Sequence, residues 1–351
     1  MRRIMILLLA IAAVGAIAQE GGQRPPRPFP TEPMANPGVH DPVMARCDGK
    51  YYIFSTGMQI GQMTSTDLRL WSHAPHVMPE VPEWATLAVP GYHGHTWAPD
   101  IQQVGDTWYL YYSCSSFGKN RSAIGLMTNK TLNPESPDYK WEDQGLVVSS
   151  TPGITDWNAI DPNLILDSAG QPWLTWGSFW DGIQLVQLDS DFKTPKGEPK
   201  TIARRYERGA ESALISAADL ERANQAPEAG PNAIEAPFII RNGDYYYLFA
   251  SWDYCCKGAD SNYKTVVGRS RDVAGPYLDR DGKDMASGGG TVIAGPDADY
   301  YGVGHTSAYQ FDGQWYFMAH GYAASLDGAS TLIIRKMHFD PDAWPILGEQ
   351  L

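Results

Sequence analysis

A five-fold repetition of one strand pattern limits the folds that this chain can adopt. Each copy begins with a turn pair, continues with aromatic and apolar residues in alternation, and ends in Ser, Gly or His. An Asp-Gly or Asn-Gly turn followed by β-branched and aromatic alternation is typical of a β-hairpin. The copies are DGKYYIFS (48–55), GDTWYLYYS (105–113), AGQPWLTWG (169–177), NGDYYYLFAS (242–251) and DGQWYFMAH (312–320).

The spacing of these copies favours a radial arrangement. The first aromatic residues of successive copies lie roughly 57 to 72 residues apart, whereas the turns of a β-sandwich recur every ~8–12 residues. Periods of this size that consist only of strands suit propeller blades with loop insertions. We therefore predict an all-β protein, a five-bladed β-propeller, with one local helix inserted at residues 216–223.

The N-terminus has the residue order of an export signal. Arg2 and Arg3 precede an apolar run from Ile4 to Val14, and a small-residue site follows at residues 16–18. This order indicates a signal peptide, and the apolar run is shorter than the ~20 residues of a spanning helix. An uncleaved anchor is the alternative. We predict a signal peptide over residues 1–18, a Pro/Gly-rich lead-in over residues 19–35, a folded catalytic domain over residues 36–351, and secretion to the periplasm or medium.

The charge of the chain argues against a polyanionic partner. It contains 40 acidic and 27 basic residues, which gives a net charge of −13, whereas binding of nucleic acid needs a face rich in Lys and Arg. A neutral substrate is easier to accommodate. We expect a monomer with no nucleic-acid partner and, after signal cleavage, no membrane partner.

The four cysteines do not indicate a metal site or a disulfide framework. Cys47 and Cys114 lie far apart, and Cys255 and Cys256 are adjacent, so the spacing matches neither pattern. Export permits disulfides. The adjacent pair could form a vicinal bridge, or the two thiols could be free or paired elsewhere.

Ionisable residues recur before the hairpins. Counting back ten residues from the first aromatic gives Asp41, Ala98, Glu235 and His305, and Asp161 lies twelve residues before its hairpin. In a propeller the strand before such a hairpin is the innermost one, so these positions should converge on the central channel. Ionisable groups are costly to bury without a purpose. We therefore predict one pocket that contains three carboxylates and an imidazole.

Carboxyl groups placed across a sugar are sufficient for glycoside hydrolysis. One donates a proton to the leaving oxygen, while the other activates water or attacks the sugar directly. A third carboxylate nearby raises the pKa of the acid by like-charge repulsion. The pattern predicts a glycoside hydrolase. The alternative is a propeller whose carboxylates only bind a cation or cap strand ends.

Several motifs resemble those of glycoside hydrolase family 43 and of its endo-arabinanase branch. The resemblance extends from about Asn36 to the C-terminus. It implies an inverting enzyme that cleaves internal α-1,5-L-arabinofuranosidic bonds of arabinan, a neutral plant polysaccharide of pectin, and of arabino-oligosaccharides. The motifs are HDP (40–42), NAIDPN (158–163), IEAP (234–237), GHTWAPDI (94–101), WDYCCKG (252–258) and NYKTVVGRS (262–270).

The same resemblance implies roles for individual residues. It makes Asp41 the general base, Glu235 the general acid, and Asp161 the residue that tunes the pKa of the acid. It makes His305 the ligand of a hydrated metal ion, usually calcium, although calcium prefers oxygen ligands. For any single aromatic residue, packing within a blade is the alternative to sugar binding. The expected substrate contacts are Asp41, Trp97, Phe117, Gly118, Asn158, Ala159, Ile160, Asp161, Ser178, Phe179 and Trp180.

Two other functions are compatible with these motifs. Other family-43 enzymes, the exo-α-L-arabinofuranosidases and β-xylosidases, close one end of the pocket and often carry an extra C-terminal β-sandwich. We expect residues 331–337 to form the last strand, and the absence of a second domain favours the endo activity. A non-catalytic carbohydrate-binding propeller is the alternative from another class, and the intact set of three carboxylates argues against it.

Overall fold

Strands make up most of the structure. The computed structural model describes residues 32–210 and 229–351. The predicted signal peptide, nearly all of the lead-in and the predicted helix at 216–223 lie outside these residues. The described part contains 21 strands, one α-helix and three 3-10 helices, and it includes no helix long and apolar enough to cross a membrane.

The strands pair with their neighbours along the chain in antiparallel groups, which we call units 1 to 5. Unit 1 comprises β1 (Val43–Cys47), β2 (Lys50–Ser55), β4 (Gly61–Ser65) and β5 (Ser72–Ala74). Unit 2 comprises β6 (His95–Val104), β7 (Thr107–Cys114), β8 (Ser122–Asn129) and β9 (Glu142–Ser150), with β3 (Gly57–Met58) paired to β6. Unit 3 comprises β10 (Asn163–Leu166), β11 (Pro172–Trp176), β12 (Ile183–Gln187) and β13 (Lys200–Ala203).

The last two units belong to one larger sheet. A single parallel pair, Lys264 with Val303, joins them. Unit 4 comprises β14 (Ile234–Asn242), β15 (Tyr245–Trp252), β16 (Lys264–Ser270) and β17 (Thr291–Ala294), and unit 5 comprises β18 (Tyr300–Phe311), β19 (Gln314–Ala323), β20 (Ala329–Phe339) and β21 (Pro345–Gln350). The helix α1 is Glu83–Ala88, and the 3-10 helices are Gly258–Asp260, Met285–Ser287 and Ala324–Leu326.

The aromatic repeats are the second strands of the units, and they are buried on both faces. In β2, Tyr52 and Phe54 belong to one core cluster, while Ile53 on the opposite face belongs to another that also contains Met318 of unit 5. Successive strand residues point to opposite faces. A strand covered on both faces therefore needs a continuous apolar run, which is the pattern that the sequence shows.

A residue with a left-handed backbone conformation lies within or just before the first strand of every unit. We call these residues the inner positions: Asp41 (φ 55°), Ala98 (40°), Asp161 (59°), Ala236 (55°) and His305 (52°). Such a conformation costs a non-glycine residue about 1–3 kcal/mol unless the surrounding structure enforces it.

The backbone amide of each inner position donates a hydrogen bond to a side chain of the preceding unit. Because Asp41 of unit 1 bonds to His320 of unit 5, the five bonds form a closed circuit. The pairs are Ala98 to Thr56 Oγ1 (2.9 Å), Asp161 to Ser113 Oγ (3.0 Å), Ala236 to Asp161 Oδ2 (3.1 Å), His305 to Ser251 Oγ (2.8 Å) and Asp41 to His320 Nδ1 (3.1 Å).

The strand pairing corrects the residue count that led to Glu235 in the sequence analysis. Tyr245 lies opposite Asn242, as Lys50 lies opposite Cys47 in unit 1, so the hairpin of unit 4 was counted from one residue too early. Ala236 therefore holds the inner position of unit 4, and Glu235 is the residue before it.

Two details near the ends of the predicted domain differ from the structure. Met34 already pairs with Trp71, so paired structure begins before the predicted start at Asn36. The expectation that residues 331–337 form the last strand was wrong, because β21 follows and pairs with β20.

Candidate active site

The three predicted carboxylates and the predicted imidazole line one cavity of about 760 Å³. Asp41, Asp161 and His305 reach it from their inner positions, and Glu235 reaches it from the residue before Ala236. The side chains come from units 1, 3, 4 and 5. The closed circuit of amide-to-side-chain hydrogen bonds thus brings together residues that are far apart in the sequence.

Asp41 is held as a carboxylate by hydrogen bonds to both of its oxygens. Its Oδ1 lies 2.9 Å from His305 Nδ1 and 3.6 Å from His320 Nδ1, and its Oδ2 accepts the Thr56 hydroxyl at 2.5 Å. Burial alone would raise the pKa of Asp41, but the attraction of His305 and its hydrogen bond to the carboxylate hold this pKa well below its usual value. Asp41 is therefore ionised at any working pH.

Glu235 lies in a different environment. Its Oε2 accepts the Ser178 hydroxyl and its Oε1 accepts the Tyr263 hydroxyl, each at 2.8 Å. Burial raises the pKa of Glu235 above its usual value, although these two hydrogen bonds oppose the shift. A carboxyl group with a raised pKa can carry a proton near neutral pH and donate it.

Asp161 titrates together with Glu235. Its Oδ2 accepts the backbone amide of Ala236, which ties it directly to the strand that carries Glu235. Burial raises the pKa of Asp161, and repulsion from Glu235 and Asp41 adds to the increase. The two carboxyl groups therefore titrate as a pair, and the pair loses its last proton at a higher pH than an isolated carboxyl group would.

Most of the predicted sugar contacts face the same cavity. Phe117 is 76% exposed there, which leaves its ring available to a ligand. Ala159 is the exception, because it is fully buried in the core with Leu164 and Trp176. The predicted residues that line the cavity are Asp41, Trp97, Phe117, Gly118, Asn158, Ile160, Asp161, Ser178, Phe179 and Trp180.

Sequence reasoning did not predict which residues support the carboxylates, and it assigned one of them, Ser178, only as a sugar contact. A signal for some of them was present, since each aromatic repeat ends near a small polar residue or histidine. The equivalent positions are Thr56, Ser113, Ser178, Ser251 and His320, and each of these side chains bonds either an inner position or Glu235. Tyr263 and Tyr322 had no such signal.

The structure also decides between the alternatives for the cysteines. Cys255 and Cys256 form a vicinal disulfide, and Cys47 and Cys114 are free. The disulfide lines the cavity next to Tyr254.

The residues around His305 suit a hydrated ion better than a ligand cage. His305 Nδ1 bonds Asp41, so only Nε2 is left for a cation, and water would have to supply the oxygen ligands that calcium prefers. A second donor group, His40, Asp41 and His320, has ligand atoms within 4.8 Å of one another. It fits less well, because both ring nitrogens of His320 are already hydrogen-bonded.

The sequence matches those of known proteins. The sequence profile of the glycosyl hydrolases family 43 matches residues 30–345. The chain belongs to this family. Among family relatives, the extracellular exo-α-(1→5)-L-arabinofuranosidase ArbA of Cellvibrio japonicus is 46% identical over 89% of this chain and 87% of its own length. The extracellular endo-α-(1→5)-L-arabinanase 1 of Bacillus subtilis is 35% identical over 89% of this chain and 88% of its own length.

A solved arabinanase structure shows the same fold. The exo-1,5-α-L-arabinanase from a bovine ruminal metagenomic library superposes with a TM-score of 0.83 at 69% identity, over 90% of this chain and 98% of that one. The all-β fold and the assignment to a family of glycoside hydrolases are therefore both supported by comparison.

Proposed function

We propose that this protein hydrolyses the α-1,5-L-arabinofuranosidic bonds of arabinan and arabino-oligosaccharides, with inversion at the anomeric carbon. One observation carries the proposal: carboxyl groups that face a single cavity have pKa values pushed in opposite directions. The pKa of Asp41 is lowered and that of Glu235 is raised. Such a separation distinguishes a base from an acid in one site.

In this reaction Asp41 acts as the general base and Glu235 as the general acid. Ionised Asp41 takes a proton from a water molecule, which attacks the anomeric carbon while Glu235 protonates the departing sugar oxygen. Asp161 and Glu235 repel each other when both are ionised, so the pair retains a proton that Glu235 can donate. His305 and Thr56 fix the orientation of the Asp41 carboxylate through their bonds to its two oxygens.

We propose that the enzyme acts from chain ends, in contrast to the endo action expected from the motifs. The relatives at 69% and 46% identity are named as exo-acting, and the relative at 35% identity is named as endo-acting. The endo expectation depended on the motifs and on the expected lack of a second domain, and neither determines the shape of the cavity.

Three further features belong to the same proposal. The five antiparallel units and their closed circuit of hydrogen bonds support a five-bladed β-propeller. Two relatives are named as extracellular, which supports export by the predicted signal peptide. A hydrated calcium ion with His305 as its protein ligand would add positive charge beside the carboxylates.

Product analysis tests the function and its mode together. The purified protein should hydrolyse linear arabinan, and an exo enzyme should release short products of one size while the viscosity falls slowly. Asp41→Asn should be inactive, with an unchanged melting curve as the control for folding. Activity on aryl xyloside with none on arabinan would refute the substrate, and a rapid fall in viscosity would refute the exo mode.

A further inference from the structure

The amide that fixes the backbone of Asp41 has an unusual acceptor. At three of the other inner positions the acceptor is a Ser or Thr hydroxyl, and at Ala236 it is a carboxylate. At Asp41 it is Nδ1 of His320, at 3.1 Å. A hydroxyl can rotate to offer a lone pair, but an imidazole nitrogen accepts only in one tautomer.

The surroundings of His320 select that tautomer. Nδ1 must be unprotonated to accept the Asp41 amide, so the ring proton lies on Nε2, which is 3.2 Å from the Tyr322 hydroxyl. Tyr322 in turn accepts the backbone amide of Cys256 at 2.7 Å. With two donors aimed at its oxygen, the Tyr322 hydroxyl is held in place as an acceptor.

The ring of His320 is also fixed by packing. It is fully buried, and its ring centre lies 5.8 Å from that of Tyr263, on which it stacks, and 4.6 Å from that of His40. Burial and the nearby His40 and His305 keep the pKa of His320 well below its usual value, so the ring stays neutral. Tyr263 itself donates to Glu235. The His320 imidazole thus bonds the backbone of the proposed base, Asp41, and packs against Tyr263, which bonds the proposed acid, Glu235.

We propose that His320 and Tyr322 are positioning residues for Asp41, acting through a hydrogen-bonded chain that runs from the Asp41 amide to the backbone of the Cys255–Cys256 loop. The chain holds Asp41 in its left-handed conformation, and so sets the direction from which its carboxylate approaches water. The inference depends on the proposed role of Asp41 as the base. It extends that role to two residues that touch no reacting atom.

Two amide variants of His320 separate positioning from bulk packing. The Asn side-chain oxygen can reach the place of Nδ1, whereas the Gln side chain reaches only the place of Nε2. His320→Asn should keep kcat on arabinan within about 3-fold of the parent, since it preserves the acceptor for Asp41. His320→Gln should lower kcat about 30-fold or more with a small change in KM, because displacement of a catalytic group by about 1 Å can cost up to ~100-fold.

Tyr322→Phe tests the second link of the chain, and Tyr309→Phe is its matched control. The Tyr309 hydroxyl accepts the amide of Met44, three residues after Asp41, so each variant removes a phenol hydroxyl that accepts a backbone amide. Both should lower the melting temperature. Only Tyr322→Phe should lower kcat, by about ten-fold, because the His320 Nε2 proton loses its acceptor and the other tautomer becomes competitive.

Nitrogen-15 NMR of the imidazoles checks the tautomer in the parent protein, where folding of variants is not at issue. The protein has eight histidines, and one should show a neutral ring with protonated Nε2 across the activity range. A protonated Nδ1 on His320 overturns the inference, as do equal kcat values for the Asn and Gln variants or equal losses in the two tyrosine variants. If the parent itself does not hydrolyse arabinan, the proposed function fails instead.

Discussion

Removal of the Tyr263 hydroxyl should change the pH at which the enzyme loses its acid. This hydroxyl donates to Glu235 Oε1 at 2.8 Å, Tyr263 is fully buried, and its pKa is raised far above the usual value by burial. It is therefore a neutral donor at every working pH, and it favours the ionised form of Glu235. Tyr263→Phe keeps the ring and removes that donor.

The size of the effect follows from the energy of one hydrogen bond. A hydrogen bond to a charged group contributes about 1.5–3 kcal/mol, and one pKa unit corresponds to about 1.36 kcal/mol. The protonated form of Glu235 also keeps part of the bond, so the net rise in its pKa should be about 1 unit. A raised pKa preserves the proton to higher pH, and the basic limb of the kcat/KM profile should move upwards.

The measurement is a profile of kcat/KM against pH on an arabino-oligosaccharide, whose limbs report the free enzyme. The acidic side of the profile should not change, because the pKa of Asp41 is held well below its usual value. Tyr247→Phe is the control, because it also removes a buried phenol, which donates to the Ala343 carbonyl, away from the residues that line the cavity. A basic limb that stays in place or moves to lower pH in Tyr263→Phe would refute the assignment of the acid.

Four further outcomes are expected. Glu235→Ala should retain more activity on an aryl arabinoside, whose leaving group needs no proton, than on arabinan, and Asp41→Ala should lose activity on both. Proton NMR of the first product should show β-arabinose, and α-arabinose would mean that Asp41 is a nucleophile. Mass spectrometry of exported protein should show cleavage after Ala18, and retention of Met1 would contradict it. Calorimetry should show calcium affinity that rises with pH, because the ion must displace a proton from His305. Burial would lower the pKa of His305, but Asp41 raises it to about 9. An affinity that is independent of pH, or that is unchanged in His305→Ala, would exclude His305 as the ligand.

The repeats correctly located the second strand of each unit, and three of the four predicted ionisable residues hold inner positions, because both depend on local chain geometry. A turn pair and an apolar run specify a hairpin, and a similar distance back from that hairpin leads to Asp41, Asp161 or His305. Glu235 was found through a count that was one residue off, since Tyr245 extends the aromatic run by one position. An aromatic residue at the turn and one inside the strand look alike in a sequence.

The supporting residues could not be predicted in the same way. Tyr263 immediately precedes β16 and Tyr322 lies on β19, and only the packing of the units shows that one hydroxyl meets Glu235 and the other His320. Ala159 shows the opposite case, because its motif suggested a sugar contact but its small side chain is fully buried. Contacts between units depend on the tertiary fold, about which a repeat within one unit carries no information.

The bond between Asp41 and His320 spans 279 positions of the chain. Contacts of such separation form late in folding, because a long loop must close before they can contribute. When a ribosome has synthesised the first four units, it has produced Asp41 and Glu235. It has not yet produced β19, which carries the His320 side chain that bonds the Asp41 amide. The nascent chain should therefore be inert towards polysaccharide until unit 5 has been synthesised and has folded against unit 1. A single proteolytic cut that releases the segment around Asp41 should likewise abolish turnover while leaving most of the apolar core assembled.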